Sequence, residues 1–175
     1  IPENMASDTY ERILYKCQSK KISVIVDATG KPLLNCLKYH PFLIKPNNFE
    51  LSECVGRRLS TREEYIQAAH ELQVMGARNI LVSLGENGAI LLDEDGILHE
   101  SVAPKGKALN STGAGDSMIA GFLRGLKDYG DVDNALKYAV ATGSASAVSM
   151  GLATQEEVRY QINQITSIEE KEGKS

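Results

Sequence analysis

Residues 61–84, TREEYIQAAHELQVMGARNILVSL, read as a helix that passes at once into a strand. Thr61 with Glu64 three residues later is a capping box, and Tyr65, Ala68, Ala69, Leu72 and Met75 keep helical spacing until Gly76 stops it. Residues 80–84 follow as a strand. The same succession precedes this stretch. Ser7 can cap a helix whose apolar positions Tyr10, Ile13, Leu14 and Cys17 form one stripe. Residues 22–26, ISVIV, are then a short apolar run rich in β-branched side chains, as expected of a strand covered on both faces of a parallel sheet. Gly30 and Pro32 introduce a short helix around residues 33–38 that Pro41 ends. Residues 42–44 form a second brief strand, and a helix follows through Leu51 and Val55.

Downstream the pattern changes. Residues 85–88, GENG, form a tight turn into a second apolar run at 89–92, and Asp95-Gly96 turns again into Ile97 and Leu98, so this portion should be antiparallel. Met118, Ile119, Phe122, Leu123 and Leu126 then mark one amphipathic helix, and Val132, Leu136, Ala139, Val140, Ala147 and Val148 another. Thr154 and Glu157 form a second capping box before Val158, Ile162 and Ile165, and a charged tail from Glu169 should be solvated and frayed. No repeat, linker or second domain boundary interrupts residues 1–175. The reading is one α/β structure, a mostly parallel sheet with an antiparallel portion, layered between helices.

Composition narrows the function classes. With 42% hydrophobic and 24% charged residues the chain is that of an ordinary globular protein. A formal net charge of −4 gives no global positive field for a polyanion, which argues against nucleic acid as a partner. No apolar run approaches the roughly 18 residues needed to cross a bilayer, so no membrane partner is expected and the chain reads as cytoplasmic. Cys17, Cys36 and Cys54 are odd in number and far apart, fitting buried reduced thiols better than disulfides or zinc. His40, His70 and His99 are equally scattered and read as surface or loop residues.

The strongest chemical signal is Gly113-Ala114-Gly115-Asp116, where a loop becomes a helix. The first amides of a helix lack internal acceptors and sit at the positive end of its dipole, and glycines let a phosphate come close to them. Asp116 in that first turn could accept the proton of an attacking hydroxyl. Read alone, the glycines are a tight turn and Asp116 a first-turn acid; both readings stand on local grounds. The rival phosphate motifs fail: Met118 occupies the third glycine position of G-x-G-x-x-G, and the final Gly173-Lys174-Ser175 lacks the rest of a P-loop.

Residues 110–123, NSTGAGDSMIAGFL, closely resemble the C-terminal signature of the ribokinase or PfkB superfamily of sugar kinases. Residues 45–50, KPNNFE, are similar to the family's N-x-x-E motif, with Asn47 and Glu50 at its ends, and residues 83–88, SLGENG, to its nucleotide-contacting turn. Taken alone, Asn47 and Glu50 are a helix cap or a solvated acid, and the turn is an ordinary hairpin. All three segments occur in family order.

The resemblance implies a ribokinase-like sheet and a set of roles. Asp116 would be the catalytic base, and the backbone of Gly113, Ala114, Gly115 and Asp116 the anion hole. Asn47 and Glu50 would place Mg²⁺ largely through water, and Lys45 would face the ATP phosphates. Ser83, Gly85, Glu86, Asn87 and Gly88 would line the nucleotide, with Ser144 near the adenine. The branch most similar phosphorylates sugar phosphates, 1-phosphofructokinases and tagatose-6-phosphate kinases; Ala114, where the latter tend to have Ser, favours the former. The implied reaction carries the γ-phosphoryl group of ATP to fructose 1-phosphate.

The implied partners are ATP, Mg²⁺ and a sugar phosphate, with a homodimer as an option; a non-enzymatic nucleotide-binding regulatory module is the other class. Family members carry an N-terminal part with the sugar pocket and a β-sheet lid, which these residues do not match. Residues 1–175 therefore read as the C-terminal nucleotide-binding and catalytic part, expected to bind nucleotide weakly and not to turn over alone.

Overall fold

The computed structural model describes residues 8–106, 112–149 and 151–172. Its elements are α1 (Thr9–Ser19), β1 (Ile25–Val26), α2 (Gly30–Leu37), β2 (Leu43–Ile44), α3 (Asn48–Val55), α4 (Arg62–Val74), β3 (Asn79–Ser83), β4 (Ala89–Leu92), β5 (Leu98–Ser101), α5 (Ala114–Tyr129), α6 (Val132–Val148) and α7 (Gln155–Glu172). The strands hydrogen-bond in the order β1-β2-β3-β4-β5. β1 and β2 run parallel with Val26 opposite Ile44, and β2 and β3 run parallel with Leu43 opposite Asn79. Between β3 and β4 lies only a 3-10 turn, Gly85–Asn87, with its flanking residues, and the Leu84 amide donates to the Gly88 carbonyl at 2.9 Å. So short a link cannot make a parallel crossover, so the sheet is mixed.

The chain divides into two compact units, one of residues 8–82 with 92–97, the other of residues 83–91 with those from 98 onward. In the first, Leu43 and Ile44 of β2 are both completely buried. Successive strand residues face opposite sides, so both faces of β2 are covered, as its apolar run requires. Leu33, Leu51, Leu72 and Leu81 complete this core with no exposure. The capping box of α4 forms as predicted: the Glu64 amide donates to Thr61 Oγ1 at 3.2 Å, and Glu64 Oε2 accepts from the Thr61 amide at 3.0 Å. Gly76 follows at φ 128°, where an added Cβ would lie 2.2 Å from the Leu37 carbonyl oxygen. The α4–β3 link passes α2 too closely for any other residue.

In the second unit Phe122, 1% exposed, packs in a core with Leu136, Ala139 and Ile165. A Cβ at Gly121 would lie 2.4 Å from the Tyr138 carbonyl oxygen, and one at Gly125 2.7 Å from Ala135 Cα. These glycines let α5 and α6 approach backbone to backbone. Loss of the Phe122 ring to Ala would cost about 3–5 kcal/mol by cavity formation.

Four expectations change. β1 is confined to Ile25–Val26; Ile22, at 53% exposure, lies before it and outside the core. Ile97, 56% exposed, belongs to the turn rather than to β5. The supposed frayed tail is helical as far as Glu172, with Lys137 Nζ 2.7 Å from Glu169 Oε2 across to α6. The cap expected at Ser7 lies outside the described residues; the N-cap of α1 is Asp8.

Cys36 and Cys54 are buried and unbridged, as expected, whereas Cys17 is half-buried. Burial pushes the Cys36 thiol up to about 11 and raises that of Cys54, so both stay protonated and unreactive at neutral pH. His99 is also less exposed than predicted: it tucks its Nδ1 2.7 Å from Asp133 Oδ1, its side chain 13% exposed. Among the described residues no helix is long and apolar enough to cross a membrane.

Candidate active site

In the first unit the predicted residues lie at strand ends, where open α/β sheets bind ligands. Lys45 follows β2 and is 7% exposed, its Nζ 3.6 Å from Oδ1 of Asp27, the residue that follows β1. Two residues on, Asn47 caps α3. Its Oδ1 accepts from the amides of Phe49 and Glu50, both at 2.9 Å, and Glu50 Oε2 accepts from the Asn47 amide at 2.9 Å. The family-like pair is thus a complete capping box that closes two open amides of the helix. Glu50 Oε1 makes no hydrogen bond among the described residues.

In the second unit Ser83 is the last residue of β3, and Gly85, Glu86 and Asn87 form an exposed turn. Gly88 closes it at φ 84° and ψ −133°, a conformation open essentially to glycine. A Cβ there would lie 2.0 Å from the Ser101 carbonyl oxygen, so β5 also requires the absent side chain. Gly85, at φ 61°, has nothing within 4 Å of where its Cβ would be, which leaves its backbone open to approach.

Helix α5 begins differently from α3. Its N-cap is Gly113 in the left-handed conformation, φ 80°, a residue with no side chain of its own to cap the helix. Asp116 sits exposed in the first turn. The next residue, Ser117, is buried, and its Oγ accepts from Ser146 Oγ of α6 at 2.8 Å. Gly143 of α6 lies where an added Cβ would be 2.4 Å from Met118 Cγ and 3.2 Å from the Ala114 carbonyl oxygen. The α6 backbone therefore abuts the first turn of α5, with half-buried Ser144 next in the chain. Asn110 and Ser111 lie outside the described residues. The arrangement offers a glycine at the cap position, the positive end of a 16-residue helix, and a solvent-accessible carboxylate in its first turn.

Residues 1–159 match the model of the pfkB family carbohydrate kinases. The chain belongs to the pfkB family. It is 37% identical over 165 residues to the 1-phosphofructokinase of Bacillus subtilis, covering 94% of this chain and 54% of that protein. It is likewise 37% identical over 167 residues to the D-tagatose-1-phosphate kinase of Bacillus licheniformis, with the same coverage of 94% and 54%. Among solved structures it is similar to phosphofructokinase-2 from Escherichia coli in complex with substrates and products, with a TM-score of 0.87 and 28% identity over 95% of this chain and 55% of that one. The chain spans about half the length of the curated relatives it matches.

Within this pfkB chain the residues expected at Mg²⁺ already hold one another. Among the described residues no three His, Cys, Asp or Glu side chains could together hold a metal ion. One carboxylate oxygen left over on Glu50 fits an ion that keeps most of its waters and takes its other ligands from phosphates, as Mg²⁺ does. Sequence reasoning missed Asp27, Ser117 and Ser146, the residues behind those it singled out. Their only signal is contact across elements, which local periodicity does not carry.

Proposed function

We propose that the whole protein is an ATP-dependent kinase that transfers the γ-phosphoryl group to O6 of fructose 1-phosphate, giving fructose 1,6-bisphosphate and ADP. The observation that carries this reading is the start of α5 on a glycine N-cap, with Asp116 exposed in its first turn, in a chain of the pfkB family. Asp116 accepts the O6 proton as that oxygen attacks phosphorus. The amides of Gly113, Ala114, Gly115 and Asp116 hold the transferring phosphoryl oxygens, a preorganised positive field aimed where negative charge builds. Lys45 faces the ATP phosphates from the end of β2. Ser83, Gly85, Glu86, Asn87 and Gly88 line the nucleotide, and Ser144 lies by the adenine. Asn47 and Glu50 would hold hydrated Mg²⁺, which supplies charge neutralisation on the phosphates.

Tagatose 1-phosphate is the second reading, because a relative of equal identity is a D-tagatose-1-phosphate kinase. The two sugars are C4 epimers that present the same O6, so every phosphate-handling residue serves both. A regulatory nucleotide-binding module is the weaker account, since such a module needs no proton acceptor at the anion hole. Sugar-dependent turnover is assigned to the full-length protein; residues 1–175 alone are expected to bind ATP weakly and form no product. The test is ADP formation by the full-length protein with each sugar phosphate and with both in competition. Faster kcat/KM on fructose 1-phosphate is expected. Preference for tagatose 1-phosphate would favour the second reading, and no dependence on either sugar would overturn the kinase assignment.

A further inference from the structure

Val26 and Ile44 face each other in the parallel register, so the next residue of each strand, Asp27 and Lys45, emerges side by side at the carboxyl edge of the sheet. Lys45 is 7% exposed, and an ammonium so buried is costly without a partner. Asp27 supplies the negative charge, with its side chain 34% exposed. The separation of 3.6 Å is longer than the 2.7–3.2 Å of a hydrogen bond. The carboxylate therefore offsets the burial of Lys45 without a short hydrogen bond to it, and among the described residues no other acceptor takes its N–H donors.

We propose that Asp27 is a positioning residue that holds Lys45 in place for the nucleotide phosphates. This rests on the reading of Lys45 given above and deepens it. The experiment compares Asp27→Asn, Lys45→Met and the double variant in the full-length protein, with kcat and KM measured separately for ATP and for fructose 1-phosphate.

Lys45→Met is expected to lower kcat/KM for ATP about 100-fold and Asp27→Asn about tenfold, the sort of loss that follows removal of a supporting partner. KM for the sugar should stay within about twofold, and the double variant should be no worse than Lys45→Met, because Asp27 acts on ATP through Lys45. Losses that add in the double variant, or an Asp27→Asn variant with unchanged kcat/KM for ATP beside an impaired Lys45→Met, would overturn the role of Asp27. An unimpaired Lys45→Met would instead remove Lys45 from the phosphates, and the inference with it. If Asp27→Asn does not fold, Asp27→Glu replaces it, with a smaller loss of about threefold confined to ATP expected and an equal loss for both substrates contradicting the proposal.

Discussion

Helices α3 and α5 both begin at a segment that resembles a kinase motif, yet their N-termini are built in opposite ways. The start of α3 is closed: Asn47 and Glu50 satisfy each other's backbone in a complete capping box. That of α5 is built on Gly113, which brings no side chain to the cap position, with Asp116 exposed in the first turn. A helix end whose amides are already satisfied contributes structure first and a leftover carboxylate oxygen second. An uncapped end keeps its amides for a ligand. The same type of signal thus marks a closed helix start in one case and, in the function proposed above, an anion site in the other.

Giving α5 the cap that α3 has should have the largest effect. Gly113→Asn tolerates the left-handed φ of 80° and brings an acceptor to the open amides. Turnover of the full-length protein should fall by about 10²–10³-fold, the loss seen when one anion-hole donor is removed, with thermal stability unchanged or raised. Unchanged turnover would mean that these amides hold no phosphoryl group.

A change at Gly88 tests the turn rather than a helix. Gly88→Ala forces a Cβ against the Ser101 carbonyl at φ 84° and should destabilise by about 2–4 kcal/mol in urea unfolding. Asn47→Ala opens α3 and should cost about 1 kcal/mol, a loss that Asn47→Ser restores most of. A larger effect of Asn47→Ala on the Mg²⁺ dependence of turnover than on stability would shift that residue toward the metal.

The smallest effect is that of pH on the closed caps. The Ser60 amide, and then the Thr61 amide, hold the Glu64 carboxyl below its ordinary 4.5, and the Thr154 amide does the same for Glu157. A carboxyl depressed in the folded state stabilises above its unfolded value and loses that contribution as pH falls. The gap in urea midpoint between the wild-type protein and Glu64→Gln should therefore close below about pH 4.5.

The helices were legible because each carries its own period and caps: Thr61 with Glu64 and Thr154 with Glu157 pair as their spacing required. Strand ends were less so. Five apolar residues at 22–26 gave no sign that only Ile25–Val26 would pair, because pairing is decided by β2 and not by the run itself. At the site, Asp116 and its glycines stood out as a local motif, whereas Asp27 did not. Its meaning comes from Lys45, 18 positions away and adjacent only through the parallel register. The Ser117–Ser146 contact that anchors the first turn of α5 is hidden for the same reason.

Asp116 carries the proposed chemistry, and its substitution by Asn in the full-length protein is the decisive variant, with ATP affinity and fructose 1-phosphate turnover measured on the same sample. ATP binding within about twofold of wild type together with a kcat lower by about 10²–10⁴-fold is the predicted result, since only the proton acceptor is lost. Turnover that survives the substitution would contradict the assignment of Asp116 as the base.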